Sequence, residues 1–149
     1  MNGEWFSQAY GAEIIAKKYD LKRQELDEFG LRSHKLAYNS REHFKKEIVP
    51  VSVETNNTEG KSKVIVDFDE GVRQNTSMEK MQSLPPAFKG LELITAGNSS
   101  QISDGSSAVL IASEVALDKY NLKPRAKFLS FSVVGVDPIT MLTGPIPAT

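Results

Sequence analysis

LITAGNSSQISDGSSAVLIAS, Leu93 to Ser113, sets two apolar edges around a run of small and polar residues. Leu93-Ile94 enters Thr95-Ala96-Gly97-Asn98-Ser99-Ser100, and Ser103-Asp104-Gly105-Ser106-Ser107 leads to Ala108-Val109-Leu110-Ile111-Ala112. Gly97 and Gly105 permit close backbone approach or positive φ. Asn98 and Asp104 can bond back to nearby amides and fix tight turns. The second apolar run is short and partly β-branched, which reads as a buried strand. Two readings follow: a tight turn feeding a core strand, or a loop that offers amides and hydroxyls to a ligand.

Outward from this stretch, the chain has the composition of an ordinary globular domain. It has 149 residues, 40% hydrophobic and 25% charged, with a net charge of −1. That charge gives no reason to expect nucleic acid or an acidic membrane surface as a partner. The absence of cysteine removes disulfides, thiolate metal sites and a cysteine nucleophile. No apolar run approaches the about 20 residues of a membrane span. No signal peptide is visible, and a cytoplasmic location is expected. Residues 1–8 are ambiguous, because Trp5 and Phe6 are too apolar for a free tail.

Before Leu93, residues 9 to 19 carry Ala9, Ala12, Ala16 and Tyr19 at helical spacing. Residues 22 to 38 form a second amphipathic pattern, with Leu26, Phe29, Ser33 and Leu36-Ala37 on one side and Gly30 inside it. The short Asp20-Leu21-Lys22 link predicts an αα-hairpin. Segment 17 to 47 holds nine Lys/Arg against six Asp/Glu, which reads as a solvated helix face or as an attraction for a phosphate-bearing ligand. Ile48 to Val53 and Lys63 to Phe68 predict a two-stranded excursion with Pro50 at its edge. Thr76 or Ser77 caps a predicted short helix, Met78 to Leu84, which Pro85-Pro86 stops. After Ser113, a helix over 114–120 between strands 107–112 and 126–136 predicts a β-α-β unit in a parallel or mixed sheet. His34 and His43 read as surface or packing residues. No Gly-rich phosphate loop is present.

Taken in order, AEIIAKKYDLKRQELDEFGLRSH (Ala12 to His34), FKKEIVPV (Phe44 to Val51), DEGVR (Asp69 to Arg73), PPAF (Pro85 to Phe88), TAGNSSQISDGSSAVLIAS (Thr95 to Ser113), GVDP (Gly135 to Pro138) and GPIPAT (Gly144 to Thr149) resemble the thiolase family of acyl-CoA acyltransferases. The resemblance implies an α/β chain with an incomplete thiolase-like fold. A helical and β-hairpin loop region over 9–92 would be followed by a β-α-β piece of a mixed sheet over 93–137, closing the N-terminal core. Residues 138–149 would then be a linker toward a C-terminal half.

The resemblance also implies a ligand, coenzyme A or acyl-CoA, with no covalently bound cofactor and no metal. Arg73 of DEGVR looks like the arginine near the adenine and phosphate end. Phe88 of PPAF and Ala96 of TAGNSS look like pantetheine contacts, and Ser100 looks like the serine that bonds the pantetheine amide. The chain departs from the family pattern at Gln8-Ala9, where Met-Gly is common near the acyl pocket. It departs again at Lys80, where some members carry a small polar ligand contact. Thiolase chemistry needs a nucleophilic cysteine, a histidine that activates it and a second cysteine as acid and base. None of these matches a residue here, so no catalytic residue is assigned and the chain alone is expected to be inactive.

The function implied is the coenzyme A-binding part of an acyltransferase for 3-oxoacyl-CoA thiolysis or acetyl-CoA condensation. The alternatives are a non-catalytic acyl-CoA or lipid-binding module, and a subunit completed by another chain. Homo- or hetero-oligomers, or the remaining thiolase halves, are the expected protein partners.

Overall fold

The computed structural model describes residues 7–57 and 60–149; Trp5 and Phe6 lie outside them. Helices α1 (Gln8–Lys18) and α2 (Arg23–Asn39) are present with the expected short link, but they do not pack on each other as a hairpin: α1 packs on residues 141–143, and α2 on residues 78–82 and 96–98. The link turns through Asp20 in the left-handed region, φ 54°, and the Leu21 amide closes on the Ala16 carbonyl at 2.9 Å. The Lys22 amide donates to Glu25 at 2.7 Å and starts α2. A one-turn helix α3 (Arg41–Phe44) leads to strands β1 (Val51–Asn57) and β2 (Gly60–Val66). These pair antiparallel from Val51↔Val66 to Asn57↔Gly60. The expected two-stranded excursion is therefore present, with β1 and β2 displaced by a few residues from their predicted ranges.

Ser77 caps α4 (Met78–Gln82) by accepting from the Lys80 amide. Pro86 and Thr95 then form an isolated antiparallel bridge, with the Ala87 amide on the Ile94 carbonyl at 2.9 Å. Thr95 opens a 3-10 turn, Ala96–Asn98. This places the TAGNSS turn beside PPAF.

Helix α5 (Glu114–Tyr120) is present over the expected range: Ser113 caps it by accepting from the Ala116 amide, and Asn121 ends it at φ 52°. The β-α-β piece around it needs correction. Residues 107–112 and 126–136 belong to no strand, and the only ladder among the described residues is β1–β2. Both runs are apolar and lie exposed, with Val109 at 82% and Val133 at 99%. The physical reason is pairing. A core strand forms only where neighbours satisfy its backbone and other elements cover its apolar side chains, and the described residues bring these runs neither.

The expected linker also has local order. Asp137 accepts from the Ile139 and Thr140 amides, each at 2.9 Å. A 3-10 turn, Met141–Thr143, and a short helix α6 (Pro145–Ala148) follow. This segment rests on α1 at Gly11, where a Cβ would meet the Ile139 carbonyl oxygen at 2.8 Å. Any larger residue there would push the two apart.

The packed centre is small: Ala16, Met81, Leu91 and Ile94 are its buried apolar residues, with Glu13, Asp27 and Thr95 buried among them. Among the described residues no helix is long and apolar enough to cross a membrane.

Candidate functional site

Helix α2 faces the centre with the stripe Asp27, Gly30 and His34, which helical spacing puts on one side. The apolar residues chosen from the sequence point elsewhere; Phe29 is 73% exposed and Leu36 53%. The stripe is polar and small because other chain segments come in against it. A Cβ on Gly30 would lie 2.6 Å from the Gly97 carbonyl oxygen and 2.9 Å from the Met81 methyl. Glycine therefore lets the Ala96–Asn98 turn and α4 both close on α2.

Two buried carboxylates organise what closes. Glu13 of α1 accepts from the amides of Glu92 at 3.1 Å, Leu93 at 3.0 Å and Ile94 at 3.1 Å. Lys17 lies 3.3 Å away on the same carboxylate. Burial pushes the Glu13 carboxyl up, but the amides of Leu93, Ile94 and Glu92, together with Lys17, outweigh it and hold it below its ordinary value of 4.5. Asp27 of α2 is fully buried. It accepts from Arg23 Nε at 2.7 Å and from Asn98 Nδ2 at 3.1 Å. Arg23 Nη2 in turn donates to the carbonyls of Met81 at 2.8 Å and Leu84 at 3.1 Å. No buried side-chain nitrogen or oxygen among the described residues lacks a partner, which is what burying charge requires.

The turn is pinned from inside as well. Asn98 Oδ1 accepts from the Thr95 amide at 2.9 Å, Asn98 Nδ2 donates to the Leu93 carbonyl at 2.9 Å, and the Ser99 hydroxyl donates to the Thr95 carbonyl at 2.7 Å.

Between α2, residues 73–76, α4 and this turn lies a cavity of about 700 Å³. Met81, Leu84, Ala96 and Gly97 supply apolar and backbone walls, and Arg73, Lys80 and His34 supply basic groups; no carboxylate lines it. The Arg73 amide donates to His34 Nδ1 at 3.2 Å, so α2 and the DEGVR segment meet at its mouth. Lys80 Nζ donates to the Asn75 carbonyl at 2.8 Å. Neither Arg73 nor Lys80 is ion-paired among the described residues. A second cavity, about 580 Å³, lies under α3 between Phe44, Ile48 and Phe68. Its lining mixes Arg41 and Lys45 with Glu42, Asp67 and Asp69, so it has no preference for an anion.

Of the residues singled out from the sequence, Arg73 and Ala96 line the larger cavity. Phe88 is 60% exposed and Ser100 is exposed; neither is in that lining. Phe88 is nonetheless held near the turn by the Pro86–Thr95 bridge. His34 was missed as a cavity residue. Its helical register with Gly30 was the available signal, since a glycine tolerated inside a helix marks where something packs closely. Among the described residues no group of three or more His, Cys, Asp or Glu residues is placed to hold a metal ion.

Residues 6–115 match the family model of the thiolase N-terminal domain. The chain belongs to the thiolase family. It is 46% identical over 145 residues to a steroid 3-ketoacyl-CoA thiolase of Mycobacterium tuberculosis, covering 96% of this chain and 33% of that relative. It is 40% identical to the human mitochondrial 3-ketoacyl-CoA thiolase, covering 94% of this chain and 35% of that protein. The acetyl-CoA acetyltransferase structure from Bacillus anthracis superposes with a TM-score of 0.86 at 34% identity, over 99% of this chain and 37% of that one. The chain thus spans about a third of the length of these thiolases. Its helices and two-stranded sheet form a partial thiolase fold.

Proposed function

We propose that this chain supplies the coenzyme A-holding part of a thiolase-type acyltransferase. Arg73 and Lys80 would receive phosphate, Met81, Leu84 and Ala96 would flank the thin pantetheine arm, and Ser100 and Phe88 would continue that path beyond the turn. One observation carries the reading: a cavity whose lining combines basic groups with apolar side chains and holds no carboxylate. Guanidinium and ammonium groups bind phosphate by charge-assisted hydrogen bonds. The apolar walls suit a chain whose only polar groups are spaced amides and hydroxyls.

The names of the relatives support acyl transfer to or from coenzyme A as the reaction of the whole enzyme, by thiolysis of a 3-oxoacyl-CoA or the reverse condensation. With no cysteine in the sequence, this chain holds the substrate handle and takes no part in forming or breaking the acyl–sulfur bond. Isothermal calorimetry of the purified chain with coenzyme A tests the assignment. Saturable binding is expected, and Arg73→Ala should weaken it about tenfold by removing one charged hydrogen-bonding partner. Absence of binding, or unchanged affinity in Arg73→Ala, would overturn it.

A further inference from the structure

We infer that Asp27, which is not among the cavity's lining residues, is the positioning residue that locks the apolar lining of this cavity together; the inference rests on the coenzyme A reading above. Its two carboxylate oxygens divide the work. Oδ2 holds Arg23, whose Nη2 grips the Met81 and Leu84 carbonyls at the end of α4. Oδ1 holds Asn98, the residue that closes the 95–98 turn. Met81, Leu84, Ala96 and Gly97 all line the cavity, and Gly97 lies against the Met81 and Leu84 side chains. One fully buried carboxylate on α2 therefore joins the end of α4 to the 95–98 turn, both far from it in sequence.

Gly30, one turn along the same stripe, and Gly97 itself both lack the side chain that would push these segments apart. The basic end is built differently. Arg73 reaches α2 through its amide on His34, and Lys80 is held by the Asn75 carbonyl; neither contact runs through Asp27. The apolar lining is thus coupled through Asp27, while Arg73 is anchored outside that network by His34 and Lys80 rides on α4 beside Met81.

Asp27→Asn makes the test specific. It keeps the shape and an acceptor for Arg23, but turns an amide nitrogen toward the Asn98 amide, donor against donor. Affinity for coenzyme A should fall about tenfold. Affinity for adenosine bisphosphate, the nucleotide end of the same ligand, should stay within about twofold, which is the limit expected for a site whose own contacts are untouched. Parallel loss of both would show general unfolding and overturn the assignment, as would loss of neither.

Asn98→Ala, at a half-buried position, cuts only the turn side and should reproduce the split if Asp27→Asn fails to fold. Hydrogen exchange needs no ligand. In either variant the Thr95 and Gly97 amides should lose protection while those of Leu93 and Ile94, held by Glu13, keep it. Unchanged protection at Thr95 and Gly97 would overturn the coupling. Should the unmodified chain fail to bind coenzyme A while exchange shows the expected split, the ligand reading falls and the coupling stands.

Discussion

Residues 7–100 and residues 101–136 both carry apolar runs, yet only the first region is packed. In the first, Ala16, Met81, Leu91 and Ile94 are buried. In the second no residue is buried, and Ala116, Leu117 and Val136 are its only half-buried positions. The difference does not follow apolar content. The first region is tied by carboxylates that bridge segments far apart: Glu13 holds amides 79 to 81 residues away, and Asp27 holds Asn98 across 71. The second has only an exposed contact at its edge, Gln101 Nε2 on Asp69 at 3.5 Å, and among the described residues its strand-like runs have no ladder. Apolar pattern supplies the free energy of burial, but directional bonds decide which segments meet.

The largest expected effect comes from breaking one tie. Glu13→Ala removes the acceptor of three amides and leaves them in a half-buried site without a partner. The loss should be about 3 kcal/mol of unfolding free energy, read as a lower midpoint in urea. A change below about 1 kcal/mol, the size of an average surface contact, would mean that the amides find water and that the tie is not what holds residues 92–94.

A smaller, pH-dependent effect sharpens the same point. The folded Glu13 carboxyl titrates below its ordinary 4.5, because the Leu93, Ile94 and Glu92 amides and Lys17 outweigh the upward push of burial. Between the two values the unfolded chain binds the extra proton. The Glu13 contribution is therefore complete above pH 4.5 and is lost as pH falls through the folded value. Stability of the unaltered chain should decline more steeply on acidification than that of Glu13→Gln, compared by urea unfolding at a series of pH values. Equal slopes would remove Glu13 from the account. Glu79 and Asp137 are also held low, and the comparison of the two chains cancels them.

Local chemistry was the legible part. The α1 and α2 helices with their short link, the β1–β2 excursion, the Ser77 cap and the Ser113-to-Asn121 helix follow from spacing, caps and turn residues within a few positions of one another. The inward face of α2 was not legible. Leu26, Phe29 and Leu36 have the expected periodicity, and Arg23 and Asp27 belong to the charged run that reads as a solvated helix face. Burial of that pair depends on Asn98 and on the Met81 and Leu84 carbonyls, which no local pattern reveals. The same limit applies to the site. Arg73 and Ala96 came from motifs and do share the cavity; His34 reaches it only through a fold-level approach of α2 to the Arg73 amide. The strands over 107–112 and 126–136 fail for the complementary reason. Alternation shows which residues favour a sheet and cannot supply the neighbouring strand.

The smallest expected effect falls in the second region, and its smallness is the test. Val133 is β-branched, sits where alternation marks a core strand, and is 99% exposed. Were it in a packed sheet, Val133→Ser would lose burial and leave a hydroxyl to satisfy, about 2 kcal/mol. Here it has no burial to lose, so unfolding of the chain should shift by less than about 0.5 kcal/mol. A loss near the larger figure would show that residues 126–136 acquire cover in solution, from another copy or a rearranged fold, and would erase the contrast between the two regions. A null result, beside a large loss in Glu13→Ala, would establish that stability in this chain resides in the carboxylate-tied segment that forms the cavity.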